Sequence, residues 1–255
     1  MSLKDKNVMI GSWINTASPI VAELMSAANF DFLVVDAEHS SVSIAQAQSL
    51  FLAIKAGNSN CTAIVRVPGN NYAETKRYLD AGAMGVIVPL INSREEAMEV
   101  IRSVKYPPMG ERGVGFGRSH GYGFDFERYM ASANDEIFIC IQIEHELAVK
   151  NIDDILSTPG IDAVMIGPYD LSASMGITAE FEHPRYIEAL KKILAKCEEY
   201  NIIPGIHVVQ PNHDEALEKI NQGYKMIGYS MDITMLGEMS RKGLQMIRKG
   251  VSHIA

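Results

Sequence analysis

Two acidic residues and one glutamine have the types and spacing of a divalent-cation site. Gln142 and Glu144 lie two residues apart in an apolar run, so in a β-strand both side chains face the same side. Asp170 follows the next apolar run along the chain. Carboxylate and amide oxygens suit Mg²⁺ or Mn²⁺ better than Zn²⁺. The alternative is structural, because Glu144 and Asp170 are equally well placed to cap the helical segments that follow them.

Arg66 and His39 each follow the end of an apolar run and are candidates for chemistry on a bound substrate. A guanidinium at the end of a buried strand is costly unless it meets an anion. For Arg66 that anion is either a protein carboxylate or a substrate carboxylate or enolate oxygen. His39 stands beside Glu38 and is a candidate general acid or base near pH 7, although a single histidine is as often structural. His207 has the same two interpretations.

Gly167, Pro168 and Tyr169 connect an apolar run to a polar turn. Backbone N–H groups at such a junction are often left free to bind an anion. With Gln142 and His207, these three residues form the predicted substrate-binding set.

The candidate residues follow apolar runs that recur along the whole chain. Eight short β-branched runs alternate with eight helix-like segments, which is typical of βα units on a parallel sheet. The predicted strands are Val8–Trp13, Phe32–Val35, Thr62–Val65, Gly85–Val88, Ile137–Ile143, Ala163–Ile166, Gly205–Val208 and Met226–Gly228. The predicted helices are Pro19–Ala28, Ile44–Ala56, Tyr72–Leu79, Arg94–Val104, Glu146–Leu156, Pro184–Tyr200, Asn212–Ile220 and Ile233–Lys249. This alternation over 255 residues predicts a single α/β domain, residues 1–255, folded as a (β/α)₈ TIM barrel with its active site at the carboxyl ends of the strands.

The segment Tyr106–Glu136 interrupts the alternation. It is rich in glycine, contains Pro107-Pro108 and has a short helix-like piece at Phe126–Ala131, a pattern typical of a functional loop or an interface arm. Within it, residues 117–121 match the GxSxG pattern of serine hydrolases around Ser119. That pattern requires a strand before it and a helix directly after it, and neither is predicted here. We therefore do not expect a serine hydrolase.

Charge and missing motifs exclude several other functions. No lysine ends a predicted strand, so a Schiff-base mechanism is disfavoured. The net charge of −8, without a basic run, argues against a nucleic-acid partner. The longest apolar stretch, Met84–Ile91, is too short to cross a membrane. Cys61, Cys140 and Cys197 form no paired motif, which favours a cytoplasmic location.

Several longer motifs occur in a fixed order along the chain. They are Asp36-Ala-Glu-His39, Val65-Arg-Val-Pro68, Leu79-Asp-Ala-Gly82, Val88-Pro89, Tyr106-Pro-Pro-Met-Gly-Glu-Arg-Gly-Val-Gly115, Gln142-Ile-Glu144 and Ile166-Gly-Pro-Tyr-Asp-Leu-Ser172. In this order and spacing the chain resembles the HpcH/HpaI aldolase family, the metal-dependent class II pyruvate aldolases. The resemblance runs from about Gly11 to Asp232 and so covers nearly the whole sequence.

The resemblance implies a (β/α)₈ barrel that reversibly cleaves a 4-hydroxy-2-oxo acid to pyruvate and an aldehyde through a metal-stabilised enolate. It implies that Glu144 and Asp170 bind Mg²⁺, Mn²⁺ or Co²⁺, with Gln142 beside the metal. It also implies that Arg66 steadies the enolate charge and that His39 transfers the proton of the C4 hydroxyl. His207 is a departure, since the family carries an aliphatic residue there.

Asp80 has an implied role that depends on assembly. The family pairs its histidine with an aspartate that matches Asp80, yet the predicted helix places Asp80 at the far end from its own barrel mouth. It would then act on a neighbouring subunit of a homo-oligomer, a trimer or hexamer with exchanged C-terminal helices. Two alternatives stay open, a citryl- or malyl-CoA-type lyase of the same superfamily and a non-catalytic metabolite-binding barrel.

Overall fold

Eight parallel strands close on themselves to form the centre of the protein. The computed structural model describes residues 3–251. The strands pair in chain order, and the last pairs with the first. They are β1 (Met9–Ile14), β2 (Phe32–Asp36), β3 (Thr62–Arg66), β4 (Gly85–Val88), β5 (Phe138–Ile143), β6 (Ala163–Ile166), β7 (Ile203–Val208) and β8 (Met226–Met231). With helices between the strands, the predicted (β/α)₈ barrel is confirmed.

Helices follow the strands and form the outer layer. They are α1 (Pro19–Ala27), α2 (Ile44–Gly57), α3 (Tyr72–Asp80), α4 (Arg94–Val104), α5 (Phe126–Glu136), α6 (Glu146–Lys150), α7 (Ile152–Leu156), α8 (Pro168–Ser174), α9 (Pro184–Glu199), α10 (His213–Asn221) and α11 (Asp232–Val251). Local sequence sets several of their starts. Ser43 before α2 and Ser93 before α4 each form a capping box with the residue three positions on, which satisfies free N–H groups of the first turn.

The apolar core has two layers, one inside the barrel and one between strands and helices. Inside, Met9, Phe32, Ile87 and Cys140 belong to one buried cluster. Gly11 is required for this packing, because a Cβ at that position would lie 2.3 Å from the Phe32 ring. Side chains that alternate with these along each strand pack outward against the helices. Since the interior is filled, open space for chemistry lies at the ends of the barrel.

β7 and β8 are longer than their predicted spans. β7 begins at Ile203 rather than Gly205, and it therefore includes Pro204. A proline suggests a break in a strand because it lacks an N–H group. Pro204 still accepts a hydrogen bond through its carbonyl, from Lys225 at 2.9 Å. β8 continues past Gly228 to Met231, through polar residues that the apolar pattern did not include.

Three helical segments also differ from the predictions. The predicted helix Glu146–Leu156 is two short helices, α6 and α7, separated at Asn151. α5 continues to Glu136, beyond the predicted end at Ala131. α8 was expected only as a turn, and it is a helix of seven residues.

The segment between α4 and β5 packs against the end of α3. Arg112 is fully buried there, its Nη2 donating to Asp80 Oδ1 at 2.7 Å while its guanidinium lies 4.5 Å from the centre of the Tyr106 ring. Ser119 lies in a short 3₁₀ segment, Arg118–Gly123, and not between a strand and a helix, so the GxSxG pattern is no nucleophile elbow. Among residues 3–251, no helix has the length and apolar content needed to span a bilayer.

Candidate active site

The carboxyl ends of the strands surround a cavity of about 310 Å³. The residues that line it come from strand ends all around the barrel, including Trp13, Asp36, Arg66, Gln142, Gly167 and His207. The rim also carries His39 and Asp170. At Pro168, Tyr169 and His207 the cavity meets a larger groove of about 760 Å³ between α9 and α10. The predicted chemical groups gather around the smaller cavity, which is therefore the candidate site.

Arg66 is held in place by Asp36 across the β2–β3 pair. The two residues face each other in register, and Arg66 Nε and Nη2 donate to the two Asp36 oxygens at 2.9 and 2.7 Å. The guanidinium lies 4.4 Å from the centre of the Trp13 ring. A bidentate pair fixes both the position and the plane of the guanidinium. The anion that Arg66 meets is thus a protein carboxylate, as the structural interpretation predicts. Still, 12% of the Arg66 side chain stays exposed at the cavity.

Asp36 is an ionised anchor for this pair. Its carboxylate is buried and also accepts hydrogen bonds from Asn15 Nδ2 at 2.9 Å and from the backbone N–H groups of Glu38 and His39. Burial alone would raise the pKa of Asp36, but the hydrogen bonds and charge of Arg66 hold that pKa below its ordinary value. Arg66 therefore has a fixed counterion and does not need a ligand to stay in place.

Glu38 and His39 form a second acid–base group next to Arg66. Glu38 Oε2 lies 3.3 Å from Arg66 Nε and 3.7 Å from His39 Nε2. Burial raises the pKa of Glu38 to about 6. The Glu144 and Asp36 carboxylates also raise this pKa, whereas the charges of Arg66 and His39 lower it. The His39 side chain is 62% exposed, so it stands at the rim. A carboxyl group and an imidazole with this placement are suited to proton transfer with a substrate bound in the cavity.

Gln142 and Glu144 lie together at the end of β5. Gln142 Nε2 donates to Glu144 Oε2, and the backbone N–H of Leu90 donates to Glu144 Oε1 at 2.9 Å. Both side chains are almost completely buried. α6 is capped by His145, whose Nδ1 accepts from the N–H of Leu147 at 3.0 Å. The capping interpretation of Glu144 is therefore wrong.

Asp170 stands in the first turn of α8, with its side chain exposed at the rim of the cavity. The N-cap position of α8 is Gly167, so the capping interpretation of Asp170 is wrong as well. Gly167 also keeps this loop close to β5, because a Cβ there would lie 2.9 Å from Glu144 Oε2. Glu144 thus lies against Gly167, three residues before Asp170.

The donor set fits a hard divalent cation. Across residues 3–251, no group of three or more His, Cys, Asp or Glu side chains is arranged to hold a metal ion. Mg²⁺ needs fewer protein ligands, since it usually binds one or two carboxylates and completes its shell with substrate and water oxygens. Glu144 and Asp170 supply two carboxylates, and Gln142 Oε1 is a buried acceptor without a hydrogen-bond partner. A buried acceptor left unpaired is costly, so a cation that it could face would relieve that cost.

His207 forms part of the cavity wall on β7. Its ring centre lies 5.0 Å from that of Trp13, and its Nε2 is 3.3 Å from the carbonyl oxygen of Ser230. Burial lowers the pKa of His207 to about 4, and the charge of Arg66 acts in the same direction. His207 is therefore a neutral polar group beside Arg66 at neutral pH.

Nine of the ten predicted site residues come together at this end of the barrel, and Asp80 does not. Asp80 is the last residue of α3 and is bound to Arg112 away from the mouth, which agrees with its predicted placement. Its pairing with a histidine of a neighbouring subunit stays a prediction.

Trp13, Asn15 and Leu90 were not identified from the sequence as site residues. Trp13 ends an apolar run and therefore resembled a core residue, and Leu90 contributes only its backbone N–H. Asp36 was noted at a strand end but given no role. Its signal was the need of Arg66 for an anion on the neighbouring strand, which only the register of β2 and β3 resolves.

Known proteins are similar to this chain in both sequence and fold. The family model HpcH/HpaI aldolase/citrate lyase matches residues 9–238. A hydroxypyruvate/pyruvate aldolase from Roseobacter denitrificans is 32% identical over 237 residues, covering 92% of this chain and 91% of that protein. A 4-hydroxy-2-oxo-heptane-1,7-dioate aldolase from Escherichia coli is 33% identical over 236 residues, covering 92% and 88%.

A solved structure agrees with these matches. The crystal structure of an HpcH/HpaI aldolase/citrate lyase family protein from Burkholderia cenocepacia superposes with a TM-score of 0.91 at 30% identity, covering 96% of this chain and 97% of that one. The fold, the order of the motifs and the relatives agree over nearly the whole length of the chain. This protein therefore belongs to the HpcH/HpaI aldolase/citrate lyase family.

Proposed function

We propose that this protein is a divalent-metal-dependent aldolase that cleaves a 4-hydroxy-2-oxo acid to pyruvate and an aldehyde, and that catalyses the reverse addition. The observation that carries this proposal is the placement of a fixed guanidinium, Arg66, and a set of oxygen donors around one cavity. Retro-aldol cleavage places negative charge on the 2-oxo oxygen of the substrate. A site with preorganised positive charge lowers the barrier to that step.

Glu144 and Asp170 would hold the cation, and Gln142 Oε1 would lie beside it. The donor chemistry suits Mg²⁺ or Mn²⁺, with Co²⁺ as a further candidate. When bound, such an ion supplies Lewis acidity to the 2-oxo oxygen of the substrate. The backbone N–H of Tyr169, in the first turn of α8, would donate to the substrate carboxylate, while Gly167 and Pro168 would shape the loop around it.

The protein side chains would move the proton and stabilise the charge. His39, with Glu38 behind it, accepts the proton of the C4 hydroxyl as the C3–C4 bond breaks. The C4 carbon leaves as an aldehyde, and the electron pair of the broken bond passes toward C2 and its oxygen. Arg66, held by Asp36, stabilises the charge that reaches that oxygen. Return of a proton to C3 completes pyruvate.

A substrate panel tests the reaction class. We expect pyruvate release from 4-hydroxy-2-oxo acids and no adduct when pyruvate is present during borohydride reduction. Cleavage of citryl- or malyl-CoA instead would favour the CoA-lyase alternative. Binding of pyruvate or oxalate without proton exchange at the pyruvate methyl group would favour a non-catalytic barrel. The two relatives reported above, at 32% and 33% identity, are named as aldolases, which supports the first outcome.

Variants of the two acidic residues test the metal site. Glu144→Gln and Asp170→Asn should each lower bound metal, measured by elemental analysis, and reduce pyruvate release by a factor of 100 or more. Circular dichroism should show that the barrel is retained. Asp154→Asn, at an acidic residue of α7 outside the cavity, is the matched control and should keep both metal and activity.

We further propose that the protein is a homo-oligomer with exchanged C-terminal helices. Of the 20 residues in α11, only Asp232 is buried, and Leu236, Met239, Met246 and Ile247 are each at least 66% exposed. An apolar helix surface of this kind needs a covering partner. The exposed Ile10 on β1 offers apolar surface on which a neighbouring helix can pack.

Light scattering tests the assembly. We expect the mass of a trimer or hexamer, and dissociation when Ile247→Glu places a charge on the apolar surface of α11. Gln245→Glu, at an exposed polar position of the same helix, should leave the mass unchanged. A monomeric wild-type protein would contradict the proposal.

A cytoplasmic location stays a prediction, and the three cysteines on which it is based are all buried and free.

A further inference from the structure

A further cavity, with charged residues in its lining, lies at the amino-terminal end of the barrel, opposite the candidate active site. Its volume is about 330 Å³, which corresponds to the liquid volume of roughly ten water molecules. Ala63 of β3 and Met84, the residue before β4, line its wall together with Arg118 and Ser119. The cavity therefore has room for a small polar ligand and some water.

Two polar atoms in this wall have no partner. Arg118 Nε and Ser119 Oγ are buried, and neither makes a hydrogen bond to any residue that the structure describes. Arg118 also forms no ion pair within residues 3–251. Arg118 and Ser119 are each half-buried, and a buried N–H and a buried hydroxyl without partners are costly. Two such donors side by side in one cavity indicate that a ligand with oxygen acceptors satisfies them.

The carboxylates of this region do not neutralise Arg118. Asp80, on the helix that ends beside Gly82, is bound to Arg112 at 2.7 Å. Asp125 is bound to Arg128, whose Nε donates to both of its oxygens at 2.8 and 2.9 Å.

The other charged residues at the cavity leave the balance positive. Lys55 and Arg128 line it together with Arg118, and Glu136 is the one acidic residue among the lining residues that the structure describes. Three cations against one carboxylate favour an anionic ligand. The Asp125 carboxylate bound to Arg128 offsets part of that charge. Arg118 and Lys55 are therefore the main positive charges available to an anion.

The backbone around Arg118 is built to keep this side chain in position. Gly82 has φ of +110°, and a Cβ there would lie 2.9 Å from Arg118 Nε. On the other side, a Cβ at Gly117 would lie 2.8 Å from the carbonyl oxygen of Asp80. His120 fastens the turn, because its Nδ1 accepts from Gly123 N–H at 3.0 Å and its Nε2 lies 2.6 Å from the Gly115 carbonyl oxygen. The two donors are therefore preorganised.

We propose that this cavity is a binding site for a small oxyanion of the phosphate class, with Arg118 and Ser119 as its main ligands. The planar fork of a guanidinium and a neighbouring hydroxyl match the geometry of phosphate oxygens. Lys55 adds charge at the rim. The site is at the other end of the barrel from the cavity of Arg66, so its occupation can be measured without any assay of aldolase activity.

Inorganic phosphate is the probe. In thermal unfolding at constant ionic strength, with chloride as the reference anion, phosphate should raise the Tm of the wild-type protein, on the order of 5 °C at a hundredfold excess over Kd. Arg118→Gln should abolish the part of this shift that is due to the cavity. Since Arg66 is unchanged in that variant, any phosphate bound at the mouth contributes equally to both proteins. Arg77→Gln, at an exposed arginine of α3, is the matched control and should behave as wild type.

Ser119→Ala is a milder second test, because it keeps the charge of Arg118. Loss of one hydrogen bond should weaken phosphate binding about fivefold in isothermal titration calorimetry. Equal phosphate binding by wild type and Arg118→Gln would overturn the proposal. It would also be overturned if wild type bound no phosphate while Arg118→Gln changed the oligomeric mass, because a carboxylate of a second copy would then be the partner of Arg118.

Discussion

Two arginines at opposite ends of this barrel each pair with an aspartate and lie beside an aromatic ring. Arg66, at the mouth, is bound to Asp36 and lies 4.4 Å from the Trp13 ring. Arg112, in the segment that packs against the end of α3, is bound to Asp80 and lies 4.5 Å from the centre of the Tyr106 ring. The two ion pairs have the same length, 2.7 Å. An aspartate and an aromatic ring beside the guanidinium therefore do not by themselves separate the two arginines.

What separates them is the space on the free side of each guanidinium. The Arg66 side chain is 12% exposed and borders a cavity with Gln142 and Asp170, whereas the Arg112 side chain is 0% exposed. The counterions differ as well, since Asp36 has further donors in Asn15 and two backbone N–H groups. One pair is thus preorganised for a ligand and the other holds a loop against a helix. The position in the barrel decides which role the same pair performs.

Removing the charge of Arg66 should give the largest effect. In Arg66→Gln, kcat/KM for pyruvate release should fall by about 10²- to 10³-fold, the usual cost of deleting one group that stabilises a developing oxyanion. Bound metal should be unchanged, because Arg66 contacts neither Glu144 nor Asp170. Steady-state kinetics and elemental analysis on the same preparation measure both. Activity within threefold of wild type would remove Arg66 from the mechanism.

The matched substitution at the other pair should affect stability instead. Arg112→Gln leaves Asp80 without its partner, so the free energy of unfolding should fall by about 3 kcal/mol in urea titrations. The folded variant should lose less than tenfold in kcat/KM. A loss of activity as large as that of Arg66→Gln would show that the chemistry depends on the contact between Arg112 and Asp80.

Acid sensitivity should sharpen the comparison, because His207 beside the Arg66–Asp36 pair has a strongly lowered pKa. Burial depresses the pKa of His207 to about 4 in the folded protein, against 6.5 when it is unfolded. Between these values the unfolded state binds more protons, so His207 lowers stability as the pH falls from about 6.5 to 4. Its contribution has a slope of at most about 1.4 kcal/mol per pH unit. His207→Leu should flatten urea-unfolding stability in this range, and an unchanged slope would contradict the assignment.

The smallest expected effect concerns the Tyr129 hydroxyl beside the Arg112–Asp80 pair. Tyr129 Oη accepts a hydrogen bond from Arg112 Nη1 at 3.3 Å. Tyr129→Phe should lower the free energy of unfolding by about 1 kcal/mol and leave kcat/KM unchanged. Tyr72→Phe is a useful comparison, since that hydroxyl is bonded only to exposed backbone. Equal stability of Tyr129→Phe and wild type would show that Arg112 is held by Asp80 and Tyr106 alone.

Much of the fold followed from the sequence because alternation of apolar runs and amphipathic segments is a property of the chain itself. All eight strands lie where their apolar runs lie, and errors occur where local signals conflict. Pro204 concealed the start of β7, and the polar Ser230 concealed the end of β8. α8 was missed because seven residues carry too little periodicity to separate a helix from a turn.

The site was only partly predictable, because some of its contacts depend on register and approach between strands. Glu144 and Asp170 were found from their positions at strand ends, but only the structure shows that Glu144 lies against Gly167, three residues before Asp170. The pairing of Arg66 with Asp36 requires the register of β2 on β3. Trp13 gives no signal in the sequence, since an aromatic residue in an apolar strand is typical of a core.

Metal dependence is the central claim, and chelation of the wild-type enzyme tests it most directly. Pyruvate release from a 4-hydroxy-2-oxo acid should be followed before and after treatment with EDTA and after addition of Mg²⁺ or Mn²⁺. Because Glu144, Asp170 and Gln142 form an oxygen donor set for a hard cation, we expect activity to be lost on chelation and restored by either metal. Full activity in protein shown by elemental analysis to be free of metal would contradict the account.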